Sequence, residues 1–261
     1  MGTRKDHPIY GGSPTGCINN MKLVVINGNS TPSVSQDIQH AAEVAALPGT
    51  QIETLTPENA PPTVQGYWDG ELSAVAVCEA IASHEVSTDA FIIACFSDPG
   101  LYAARELSSK PVVGIAESAM ITALQLGSQF GILTPLRKLR PILADLVHRY
   151  GLDLRCGGIQ TVEMSVLQAA QQSNSTFNAF LAAGKKLIEE QHAEVLILGG
   201  AVLAGLEVRM SAALGVPVLD PVKCGVAQAQ AIVSLNQSSS RIGGFSNKIN
   251  DVISSSYRID K

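Results

Sequence analysis

Residues 90–101 read AFIIACFSDPGL, and residues 194–206 read EVLILGGAVLAGL. Each is a short, continuous apolar run that breaks into Gly, Ser, Asp or Pro and then resumes in helix-compatible residues. That pattern marks a strand covered on both faces and feeding a helix. Upstream of each lies another such run, KLVVIN at Lys22–Asn27 and FGILT at Phe130–Thr134. Downstream of each lies a PV-x-x segment, PVVGIAES from Pro111 and PVLDPVKC from Pro217. The intervals match: Asn27 to Cys95 is 68 residues and Thr134 to Gly200 is 66, while Cys95 to Pro111 is 16 and Gly200 to Pro217 is 17. The chain therefore reads as a duplicated unit.

The predicted strands are Lys22–Asn27, Gln51–Leu55, Ala90–Phe96, Val112–Ile115, Phe130–Thr134, Gly158–Val162, Val195–Leu198 and Val218–Leu219. Helix-like segments, among them Leu72–Ala82, Ala169–Gln191 and Val226–Leu235, lie between them. Strands alternating with helices predict an α/β fold of two pseudo-symmetric lobes, each a parallel sheet flanked by helices. Ligands of open α/β sheets bind beyond the carboxyl ends of the strands, so the site is expected in a cleft between the lobes. The expected organisation is a flexible leader at 1–20, a first lobe of 21–119 plus 225–245, a second lobe of 120–224, and a C-terminal tail at 246–261.

Composition narrows the function. With 261 residues, 46% hydrophobic and 16% charged, the chain is globular rather than disordered. A net charge of −5 without a Lys/Arg run argues against nucleic acid as a partner. No apolar run is long enough to span a membrane, and the first twenty residues do not read as a secretory signal. The five cysteines (Cys17, Cys78, Cys95, Cys156, Cys224) are odd in number and contain no C-x-x-C pair. This fits a cytoplasmic chain without a disulfide framework or metal site. The five histidines stand singly, without metal-ligand spacing.

Cys95, at the end of a buried strand, is the leading candidate for chemistry. Backbone N–H groups of a following helix would lower its pKa; the ordinary alternative is a buried core thiol. The loop Asn27-Gly28-Asn29-Ser30-Thr31 can present N–H donors to an anion, or simply cap a helix. Thr134-Pro135 closes the equivalent strand, and Gly199-Gly200-Ala201 closes the partner of the Cys95 strand, where glycine allows close backbone approach to a ligand. Glu117 and Lys223 hold matching places in the two halves and read either as a pair near the cleft or as solvated surface.

Together CFSDPGL, PVVGIAES, FGILTPLRKLRPIL…YGL and LGGAVLAGL…PVLDPV resemble the aspartate/glutamate/hydantoin racemase superfamily, nearest its hydantoin and allantoin racemase branch. VVINGNST is similar to that branch's I-N-P-N-S/T opening, with Gly28 where proline is usual. The resemblance runs from about Met21 to about Leu235. It implies an enzyme without metal or other cofactor, a small substrate carrying a carboxylate or imide, and a homo-oligomer. In this family two cysteines face the substrate's acidic carbon from opposite sides. The resemblance assigns Cys95 to the first and places Asn27, Ser30, Phe96, Ser97, Thr134, Pro135, Gly200 and Ala201 among the substrate-binding groups. Gly200 stands where the family's second cysteine lies.

One expectation is therefore a single-thiol enzyme acting at a carbon acid α to a carbonyl, as a stereospecific isomerase, decarboxylase or lyase/cyclase. The alternative is a hydantoin/allantoin-type racemase, with Gly200 as a Cys→Gly variant, or a non-catalytic small-acid-binding homologue.

Overall fold

The computed structural model describes residues 20–246 except 166, 167, 170 and 172. The expected leader, with Cys17, and the tail beyond 246 fall almost wholly outside these residues. Eight strands form two four-stranded sheets among the described residues. The strands are β1 (Lys22–Asn27), β2 (Gln51–Leu55), β3 (Ala90–Ala94), β4 (Val112–Gly114), β5 (Phe130–Thr134), β6 (Cys156–Thr161), β7 (Val195–Leu198) and β8 (Val218–Leu219). The helices are α1 (Pro32–Ala45), α2 (Tyr67–His84), α3 (Leu101–Leu107), α4 (Ile115–Leu126), α5 (Leu139–Arg149), α6 (Asn174–Gln191), α7 (Glu207–Leu214) and α8 (Pro221–Ser234).

The first sheet has the order β2-β1-β3-β4 and the second β6-β5-β7-β8, every pairing parallel. The duplication read from spacing is thus a repeated strand order. Alternate residues of each strand go to different cores, as the two-residue period requires. Val24, Ile26, Phe91 and Ile93 pack with Val77 and Ile81 of α2 and with Leu101 and Ala104 of α3. Leu23, Val25 and Ile92 enter a larger core containing Ile38 of α1, Met120 of α4 and Val226 of α8. Phe130, Ile132, Val195 and Ile197 of the second sheet join that same core, which therefore runs unbroken between the sheets. The second sheet's outer face, Leu133, Leu196 and Leu198, packs on Phe180 and Leu187 of α6 and Met210 of α7.

Several element ends differ from the sequence reading. β3 stops at Ala94, so Cys95 and Phe96 lie in the turn beyond it; β4 stops at Gly114, and Ile115 opens α4. β6 begins at Cys156 and ends at Thr161, a half-buried edge strand whose Gly157-Gly158 pair weakens the apolar signal. Helix α2 begins at Tyr67, five residues before Leu72, because its first turn carries exposed Tyr67 and Trp68 rather than a buried face. Helix α8 starts at Pro221, capped by the Asp220 carboxylate, and packs on β3, α1 and α4 of the first half.

Candidate functional site

Strand register fixes what surrounds Cys95. Asn27 pairs with Ala94, so the residues that follow, Gly28 and Cys95, emerge side by side. A Cβ on Gly28 would lie 2.5 Å from Cβ and 3.1 Å from Sγ of Cys95, so only glycine fits beside the thiol. Ser73 Oγ donates to the Gly28 carbonyl at 2.6 Å and fixes that loop.

A cavity of about 140 Å³ opens beyond the strand ends of both sheets. Cys95, Phe96 and Ser97, beyond the first sheet, and Pro135, Gly200 and Ala201, beyond the second, all line it. Six of the residues expected at the site therefore share one space. Asn27, Ser30 and Thr134 do not line it. Asn27 is buried and organises its own loop, with Nδ2 donating to Ser35 Oγ at 2.9 Å and Oδ1 accepting from the Asn29 N–H at 3.0 Å. Ser30 donates its N–H to the Pro61 carbonyl at 3.0 Å. Thr134 is fully buried, and its hydroxyl has no hydrogen-bond partner among the described residues.

The cavity also recruits Asn29, Thr31, Ser33 and Asp37 from the β1–α1 loop and α1, Thr63 and Val64 from the segment after β2, and Leu139 and Leu143 from α5. Of these, the sequence pointed only to Asn29 and Thr31, as members of the loop after β1. The i, i+4 spacing of Leu139 and Leu143 was a usable signal, because it puts both on one face of α5. Residues 63–64 had none, being a loop tied down by Thr31 Oγ1 donating to the Pro62 carbonyl at 2.8 Å. Among the described residues no Lys, Arg or His lines the cavity.

Burial holds the Cys95 thiol above the ordinary range; a hydrogen bond from Ser97 acts against this, and the nearby Asp98 charge adds to it. The expectation of a lowered pKa is thus reversed. Helix α3 starts only at Leu101, so its N–H groups are not next to the sulfur, and the Ser97 hydroxyl at 3.5 Å is its nearest polar side-chain partner. At neutral pH Cys95 is a protonated acid. Gly200, at φ 170°, has extended backbone that any residue adopts, and a Cβ there would meet nothing nearer than Val202 Cγ2 at 3.8 Å.

Other candidates resolve differently. Glu117 pairs with Arg105 and Lys223 with Glu207, so the matching residues are partners of neighbours and not of each other. Cys224 is packed in the core, with burial pushing its thiol up to about 11. Among the described residues no cluster of His, Cys, Asp and Glu has the arrangement of a metal site, and no helix is long and apolar enough to cross a membrane.

The two parallel sheets, joined across a thiol-bearing cleft, define a class of α/β fold, and sequence comparison gives it a family. Residues 23–229 match the model of the Asp/Glu/Hydantoin racemase family, and the chain belongs to that family. The hydantoin racemase of Pseudomonas sp. (strain NS671) is 40% identical over 223 residues, 85% of this chain and 90% of that protein. Among solved structures, the allantoin racemases of Klebsiella pneumoniae and Pseudomonas fluorescens superpose with TM-scores of 0.84 and 0.85, each at 32% identity. Both alignments cover 87% of this chain, with 93% and 97% of the respective relatives. The protein is a racemase-family enzyme.

Proposed function

We propose that the protein acts on the acidic C–H of a hydantoin-like ring, in the manner of a hydantoin or allantoin racemase, with Cys95 as the proton carrier on one face. The observation that carries this reading is the cavity itself, which Cys95 and Gly200 line together beyond the ends of the two sheets. Two features favour an imide ring over a dicarboxylate. Among the described residues no cationic side chain lines the cavity and Asp37 is a carboxylate at it, so a dianion would lose its water there without gaining a counter-ion from them. A neutral ring with an apolar substituent suits Val64, Phe96, Leu139 and Leu143. The relatives support racemase-type chemistry over the decarboxylase and lyase readings.

In the forward step the Cys95 thiolate takes the proton. The C–H bond breaks, an S–H bond forms, and the electron pair spreads onto the neighbouring carbonyl as an enolate. Return of that proton from the same sulfur regenerates the starting enantiomer; delivery to the other face inverts the centre. Gly200 offers no thiol to the cavity, and besides Cys95 the ionisable side chain lining it among the described residues is the carboxylate of Asp37, a weaker match to a carbon acid than a thiol, so inversion is the slow branch. Because burial raises the Cys95 pKa, the thiolate population grows with pH, and exchange should accelerate from neutral to alkaline pH.

The test is incubation of single enantiomers of a 5-alkyl hydantoin in D₂O, following deuterium by NMR and configuration by chiral chromatography. Enzyme-dependent exchange faster than inversion is expected. Absence of enzyme-dependent exchange with either enantiomer would refute the reading.

A further inference from the structure

We propose that Asp98 is a positioning residue for Cys95: its buried carboxylate, clamped from the opposite half by Tyr150, fixes the thiol-bearing turn and sets a negative charge behind the sulfur. This rests on the reading of Cys95 as the proton carrier. Asp98 is 3% exposed and its backbone is left-handed at φ 44°, a conformation that a non-glycine residue keeps only when its surroundings hold it. The holding groups are visible. Its N–H donates to the Cys95 carbonyl at 2.9 Å, closing the turn. Its Oδ1 accepts from the Ala116 N–H at 3.0 Å and its Oδ2 from the Glu117 N–H at 2.8 Å, so it caps helix α4 in place of the residue at the cap position, Gly114. The Tyr150 hydroxyl, at the end of α5, donates to Oδ2 at 2.7 Å. Helix α5 also carries Leu139 and Leu143 of the cavity wall. One carboxylate thus ties together the turn bearing the thiol, helix α4 and a helix that lines the cavity from the other half.

Among the described residues the cation that Asp98 feels, Arg105, is shared with Glu117. Arg105 of α3 is engaged by Glu117 of α4, with Nη1 to Oε1 at 3.1 Å and a second contact between Nη2 and Oε2. Tyr102 of α3 lies on the Tyr150 side, and Glu71 of α2 with Asp145 and Arg149 of α5 line the depression behind the turn. On the cavity side the charged neighbour is Asp37 of α1. Burial pushes the Asp98 carboxyl up to about 6, with the Tyr150 and backbone donors acting against this, so at pH 7 it is largely ionised. An ionised carboxylate beside a thiol disfavours the thiolate, and removing it should make Cys95 easier to ionise.

The test measures the alkylation rate of each cysteine in the full chain against pH, with iodoacetamide and peptide mass spectrometry. Asp98→Asn should raise the Cys95 rate at pH 7.5 by up to about tenfold, the change carried by one pKa unit. Cys78 and Cys224 should stay unchanged, which a loosened fold would not allow. Tyr150→Phe removes one donor, makes Asp98 hold its proton more often near pH 7, and should raise the Cys95 rate about twofold to threefold. A folded Asp98→Asn protein with an unchanged or slower Cys95 rate overturns the proposal. If that variant does not fold, Tyr150→Phe decides by the same criterion. Alkylation reports on the thiol and not on turnover, so failure here leaves the catalytic reading of Cys95 standing, and loss of that reading leaves this result interpretable.

Discussion

Five residues beyond Cys95 and five beyond Gly200 the chain turns on a glycine of positive φ, Gly100 at 71° and Gly205 at 93°, then enters α3 and α7. The next strand in each half ends in a helix whose start is capped by a carboxylate, but the two carboxylates have different origins. In the second half Asp220 caps its own helix, accepting from the N–H groups of Val222 and Lys223 at 2.8 and 3.3 Å. In the first half the equivalent residue is Gly114, and a Cβ there would lie 2.3 Å from Cγ of Asp98. Asp98 fills the space that Asp220 fills from within. The position matching Asp98 in the second half is Leu203, fully buried. The ion pairs are likewise reversed in sign, Arg105 to Glu117 against Glu207 to Lys223. The difference teaches that a repeated backbone can keep its helix caps while only one of them also closes the turn that carries the cavity thiol.

Substitutions should separate the halves sharply. Cys95→Ser is the largest effect: the hydroxyl is a far weaker acid than a thiol, and exchange at the ring carbon should fall by about 10²–10⁴-fold with the circular dichroism spectrum unchanged. Full exchange in that variant would remove Cys95 from the mechanism. Gly200→Cys should make the halves alike. It should raise inversion relative to exchange by at least about tenfold on the chiral column, because a proton carrier then stands on each face. Inversion unchanged with a substrate that does exchange would mean the new thiol does not reach the ring.

Stability measurements sharpen the same contrast. Gly114→Ala drives a methyl into Asp98 and should cost about 1–3 kcal/mol in urea unfolding. At Gly200 the space is open, and Gly200→Ala should change stability by no more than about 1 kcal/mol, in the stabilising direction. Equal losses at both positions would contradict the geometry. Asp220 tests the pH response. Burial, then the Glu207 charge, raises its carboxyl to about 6. The folded state therefore holds a proton between roughly pH 4 and 6 that the unfolded chain releases, and stability from this group falls as pH rises through that window. Asp220→Asn keeps a capping oxygen and should flatten the slope, which is worth at most about 3 kcal/mol over the two units. A slope unchanged in thermal unfolding would place the titration elsewhere.

Much of this was legible in the chain. Continuous runs such as AFIIA and VLIL are buried on both faces and can be little but central strands, and their equal spacing disclosed the repeat. Cys95, Phe96, Ser97, Pro135, Gly200 and Ala201 could be placed at one cleft because they follow those strands directly. What escaped was set by contacts distant in sequence. Asn27 and Thr134 end strands as expected, yet their side chains turn into packing and not into the cavity. The rise in the Cys95 pKa depends on burial and on a helix that starts late, neither of which a strand-end motif reveals. The Asp98 cap joins residues 18 and 52 positions apart, beyond any local pattern.

The core shared by the two sheets has a consequence for traffic. Swinging the halves apart would wet side chains such as Ile92, Phe130 and Ile197, at about 25 cal/mol for each Å² exposed. Lifting the segment around Pro62, Thr63 and Val64 breaks the hydrogen bonds from the Ser30 N–H to Pro61 and from the Thr31 hydroxyl to Pro62. The cheap doorway is therefore a short, proline-stiffened strip at the rim. On the proposed reading, a ring would enter and leave by displacing that strip, while the frame behind it keeps its shape.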